Sequence, residues 1–75
     1  MATTSKGMAT TFTVYDRNTL LGTAYFRGVY DSQEAAQEAA RQRARHCRHF
    51  VVCEVWTGTP QNYGRPTGFV VQGQG

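Results

Sequence analysis

The alanines at 35, 36, 39, 40 and 44, entered through Asp31 and Glu34, constrain this chain more than any other feature of it. Asp31 with an acid three residues later reads as a capping box, and Tyr30 in front of it is placed to staple onto Ala35. Asp31, Glu34 and Glu38 fill the first two turns while Arg and His crowd the last two, so the charges complement the helix dipole at both ends. The spacing predicts a helix from about Ser32 to Cys47 or His49. Ala36, Ala39, Ala40, Ala44, Cys47 and the aliphatic stem of Arg43 face inward. A face of such small side chains can lie close against a sheet but brings little apolar area of its own, so the sheet must supply most of the core.

The flanking segments supply that sheet. Thr10 to Tyr15 alternates Phe12 and Val14 against threonines and Tyr15, the period of a strand with one buried face. Asp16-Arg17-Asn18-Thr19 reads as a turn, and Leu20 to Phe26 as the second strand of a hairpin, interrupted or bent at Gly22 and Gly28. Phe50 to Trp56 is apolar on both faces, which implies a central strand. Thr57 to Gly68, with both prolines, reads as a long turn-rich connection, and Phe69 to Gln72 as a short last strand. The order is β-β-α-β-β. Its simplest packing is an α+β two-layer domain, a mostly antiparallel four-stranded sheet with one helix on one face. Residues 1–9 read as a disordered tail, 10–72 as the single domain and 73–75 as a frayed end. One helix cannot cover both faces, so the other is expected to carry some of Tyr15, Tyr25, Phe50, Val52 and Trp56. A patch of that kind suits a homodimer seam or a partner-binding surface.

With 75 residues, there is room for one domain, and a chain of this size buries only about 60% of its unfolded surface, which favours self-association. Two cysteines are too few for a disulfide framework, and no signal-peptide pattern stands at the start, so the cytoplasm is the expected compartment. No apolar run approaches the roughly 18 residues that span a bilayer, and no membrane role is expected.

His46, Cys47, His49 and Cys53 are zinc-ligand types within eight positions, but a structural site needs four converging vectors. Cys47 points about 100° away from His46 on a helix. The expectation is therefore two buried thiols, no metal and no cofactor. Cys53 in an apolar strand is expected to be an inert thiol. The acids are used by the cap, by solvent or by the turn at Asp16. Glu54, in the middle of a strong strand, calls for an arginine such as Arg27. No enzyme is expected.

The net charge is +3, and seven of the eight basic residues are arginine. Arg41, Arg45 and Arg48, at i, i+4 and i+7, form a positive outer helix face suited to phosphates or to an acidic protein surface. No helix-turn-helix, phosphate loop or RNA-binding strand motif accompanies them. Tyr63 and Arg65, beside Gly64 and Pro66, put contact-prone side chains on the long connection.

In size and organisation, the hairpin, the capped alanine-rich helix (Asp31 to Cys47) and the valine-rich strand ending in an aromatic (Val51 to Trp56) make the chain similar to small phage- or mobile-element-encoded accessory proteins, some anti-CRISPR proteins among them. The resemblance covers residues 10 to 72 and is one of architecture, so no functional residue is carried over. It implies inhibition of a host nuclease complex such as CRISPR-Cas by surface occlusion, in the host cytoplasm. The positive charge departs from the acidic, DNA-mimicking members. The expected function is thus a non-enzymatic module that occludes a protein or ribonucleoprotein partner through Arg41, Arg45, Arg48, Tyr63 and Arg65. The alternative is a small basic nucleic-acid-binding protein using the same arginines.

Overall fold

The computed structural model describes residues 10–59 and 62–75. The tail expected over residues 1–9 and the Tyr63 side chain lie outside the described residues. The elements run β1 (Phe12–Asn18), β2 (Ala24–Tyr30), α1 (Gln33–Ala44), β3 (Val51–Thr59) and β4 (Asn62–Gln72). All pairings are antiparallel, in the order β2-β1-β3-β4, and α1 lies across one face. This is the α+β two-layer arrangement. No helix among the described residues is long and apolar enough to cross a membrane.

The alternation of β1 and β3 sets the two faces. Val14, Cys53 and Val55 turn towards the helix and meet Ala36, Ala40 and Ala44, and all six are essentially without solvent contact. Methyl-sized contacts on the helix let its backbone settle close to the sheet, and Phe12, Tyr30, Val51, Phe69 and Val71 pack around that centre. Thr13, Tyr15 and Arg17 with Val52, Glu54 and Trp56 occupy the opposite face.

Several boundaries differ from those the sequence suggested. Asp16 is in β1, not in a turn. The turn comes later because Asn18 closes it: its Oδ1 accepts from the amides of Leu20 and Leu21 at 2.9 and 3.0 Å. Gly22 takes a left-handed φ of 81°, which glycine adopts without a Cβ clash. Leu20 and Leu21 therefore sit at the exposed tip, and β2 spans Ala24–Tyr30 in place of 20–26.

The helix N-cap is Ser32, whose Oγ accepts from Ala35 N at 3.1 Å, so the cap falls one residue after the expected Asp31 and Ala35, in place of Glu34, stands three residues beyond it. The helix also ends early, at Ala44, where the next turn tightens to three-residue bonds, His46 N to Arg43 O at 2.9 Å and Cys47 N to Ala44 O at 3.3 Å, and a strap over residues 73–75 docks on that end. Gln74 N donates to Ala44 O at 3.0 Å and Gly75 N to Cys47 O at 2.8 Å. Residues 73–75, expected to fray, are thus tied to the helix end, with Gly73 N on Val51 O at 2.7 Å as well.

The long connection expected over 57–68 is instead the middle of a β3–β4 hairpin. Threonine hydroxyls bridge the irregular stretch around Pro66, which has no amide hydrogen to give: Arg65 N donates to Thr57 Oγ1 at 2.9 Å, and Thr67 Oγ1 donates to Val55 O at 2.8 Å.

Candidate basic groove and open sheet face

Asp16 shares the helix-facing side of β1 with Val14 and is almost fully buried. The strand thereby carries a carboxylate into the layer between sheet and helix, where charge must be answered. Arg43, from the inner side of α1, donates Nη2 to Asp16 Oδ2 at 2.5 Å and Nε to the same oxygen at 3.1 Å. Arg27 donates Nε to Oδ2 at 2.9 Å. It reaches the helix side because the register of β1 on β2 shifts between Val14 and Tyr15, leaving Arg27 as the extra residue of a bulge. The thiols complete the cluster, Cys53 Sγ 3.4 Å from Oδ1 and Cys47 Sγ 3.8 Å from Oδ2.

Burial opposes ionisation of Asp16, but the hydrogen bonds from Arg43 and Arg27 outweigh it and hold the carboxyl below its ordinary range. Burial and then the Asp16 charge push the Cys53 thiol far up, so it stays protonated and unreactive. Asp16, Cys47 and Cys53 each bring one ligand atom within 4.8 Å of the others. They are the residues placed to hold a metal, and His46 and His49, both exposed, stand outside the group. The Arg43 and Arg27 guanidiniums already sit on Asp16 where a cation would go.

Glu54 does find an arginine, but it is Arg17 at 2.7 Å and not Arg27. Trp56 Nε1 also donates to it at 2.9 Å. Burial raises its pKa, and the bonds from Arg17 and Trp56 more than offset that, so it too titrates below its ordinary range. This neutral pair lies on the face of the sheet away from the helix. Around it Phe26 and Val70 pair across from Tyr15 and Glu54, and both are about half exposed, as is Val29 opposite Thr13 to a lesser degree.

The aromatics expected on that face divide. Tyr15 and Trp56 are there, edge to face with ring centroids 6.3 Å apart, and Tyr15 is buried. Tyr25 pairs opposite Asp16 and so stands on the helix side. Phe50 sits in the turn before β3 against the His49 ring. The exposed apolar contribution to the open face comes instead from Phe26, Val29 and Val70, whose alternation was obscured by placing β2 four residues early.

The arginine stripe also divides, since the helix stops at Ala44. Arg41 stays on α1, paired with Glu38 at 3.1 Å and lying 5.2 Å from the Phe69 ring centroid on the β4 side. Arg45 is the C-cap residue, and Arg48, beyond the helix, turns towards β2 and lines a groove with Tyr25, Arg27 and Arg43. Arg65 is exposed on the outer strand β4. The groove exists because α1 packs mainly on β3 and β1 and leaves edge strand β2 largely uncovered. Its Asp16–Arg43 floor was legible in part: Phe12, Val14 and Asp16 share one strand parity, and Arg43 shares a helix face with Ala36 and Ala40.

Comparison with protein-family models, with curated proteins and with solved structures finds no match for this chain.

Proposed function

We propose that this chain is a non-enzymatic binding module that works as a pair, its open sheet face closed by a second copy. The observation that carries this reading is the open sheet face. Phe26, Val29 and Val70 leave apolar surface in water around what is, among the described residues, a single Arg17–Glu54 pair. A net-neutral face with one arginine beside one carboxylate is self-complementary about a two-fold axis, which sets each arginine against the other copy's carboxylate. Two sheets stacked in this way leave both helices outermost, with Arg41 exposed on each and Arg45 exposed at its C-cap.

Those arginines suit an acidic surface on a protein or ribonucleoprotein, and occlusion of that surface is the mode of action proposed. In line with the architectural resemblance to anti-CRISPR proteins, the target class is a host nuclease complex in the cytoplasm, where Cys47 and Cys53 remain free thiols. The buried acid supports a binding role over a catalytic one, because arginines and thiols already saturate it.

Light scattering of the purified protein, with and without a short duplex DNA at low and at physiological salt, tests this. The expected mass is twice 8.3 kDa, unchanged by DNA, and Val70→Lys is expected to halve it while leaving the circular dichroism intact. A monomeric parent protein overturns the pair. A salt-sensitive rise in mass with DNA overturns the protein-partner reading in favour of nucleic-acid binding.

A further inference from the structure

The groove between α1 and β2 carries a separate inference. It holds a volume of about 240 Å³ beside Asp16, Tyr25, Arg27, Arg43, His46 and Arg48. A second hollow of about 270 Å³ shares Arg43 and His46 with it and extends the groove along the helix to Tyr30. We propose that the first hollow is a binding site for a phosphate group, either inorganic phosphate or the phosphate of a small monoester, held by Arg27, Arg43 and Arg48.

The charge balance comes first. Three guanidiniums meet one carboxylate, which leaves an excess of two positive charges before His46 is counted. That matches a phosphate dianion. Asp16 does not compete for the site, because its oxygens already accept from Arg43, Arg27 and the Cys53 thiol. It acts as a positioning residue. By taking the Nε edge of Arg27 and the Nε and Nη2 edge of Arg43, it fixes two planar donors whose remaining Nη groups have no acceptor among the described residues. Arg48 is exposed at the groove wall and likewise has no carboxylate partner among them. Pre-set arginine forks of this kind are the strongest side-chain recognition elements for phosphate oxygens.

The size comes second. The hollow is smaller than the roughly 300–1,000 Å³ of pockets that enclose drug-sized ligands, so it fits a phosphate with a short stem. Tyr25, with Arg27 about 6.0 Å from its ring centroid, gives one aromatic wall on which the organic part of a monoester can lie.

Two-dimensional amide NMR titrations of the whole protein, one with inorganic phosphate and one with adenosine 5′-monophosphate, test the proposal. Saturable shifts are expected at Tyr25, Arg27 and residues 43 to 48. Arg48→Gln should weaken them about tenfold, the worth of one charge-assisted hydrogen bond, while Arg41→Gln, on the opposite side of the helix, should leave them unchanged. Equal affinity for the two probes assigns the site to phosphate itself, and tighter nucleotide binding assigns it to a monoester with an aromatic or cyclic stem. Absence of saturable shifts with both probes overturns the proposal. So do shifts spread over all the arginines that survive Arg48→Gln, since these report only a diffuse positive surface.

Discussion

Among the described residues Asp16 is the one carboxylate buried between sheet and helix, and Arg43 and Arg27 turn its burial from a penalty into a cross-link between β1, β2 and α1. Both arginines remain part-exposed, so removing the acid does not strand a fully buried cation. Asp16→Asn is therefore expected to cost about 1.5–3 kcal/mol, the range for hydrogen bonds to charged groups, read as a fall in the urea midpoint. The titration has a definite sign. Asp16 and Glu54 are both held below their ordinary pKa values, so their stabilisation is complete above those values. It is lost as pH falls through the lowered folded ones. Denaturant melts taken from neutral pH down into the acid range should show this loss, and Asp16→Asn should remove the aspartate's share. At the same scale, the sequence made an arginine partner for Glu54 legible but not which one. A bulge at Arg27 turned that side chain to the helix face and left Glu54 to Arg17.

At the scale of elements, the helix is short and made almost wholly of small contact residues, so what holds its end matters. The strap over residues 73–75 gives amides to carbonyls of Ala44 and Cys47, adding a second donor to the Ala44 carbonyl beside the Cys47 amide. Gly73 is required there, because a Cβ at that position would run into the Arg48 and Cys47 carbonyls. Gly73→Ala is thus expected to destabilise by about 1–3 kcal/mol. Faster amide exchange at Gln74 and Gly75 than in the core of β3 should accompany it. The helix stops at Ala44, five residues before His49, and Arg41 and Arg48 therefore point to opposite sides of it. The strands show the same pattern. Their alternation was readable, while their ends were set by the Asn18 side chain at one turn and by threonine hydroxyls around Pro66 at the other.

For the whole molecule, two layers leave one sheet face and the β2 side of the other open to solvent. These are the two surfaces to which a paired module and a phosphate site have been assigned, and they lie on opposite sides of the sheet. If a second copy covers the open face, folding is linked to association, and mass action ties stability to concentration. The thermal midpoint is then expected to rise with protein concentration in scanning calorimetry, and to become independent of concentration in Val70→Lys. A midpoint that ignores concentration in the parent protein would speak against the pair.

The sequence by itself determined the order of elements, the α+β class, the alanine face of the helix and the centrality of the valine-rich strand, because these rest on periodicity and on residue size, which are local. It also placed Arg43, Ala36 and Ala40 on one inward side. Tertiary structure alone decided the partners: which arginine answers Glu54, where Asp16 goes, what docks on the helix end and which arginines share a surface. Each of those depends on register, on a one-residue bulge or on a strap brought back from 30 positions away. Contacts of that kind follow from how strands pair in space, and no local period along the chain encodes them.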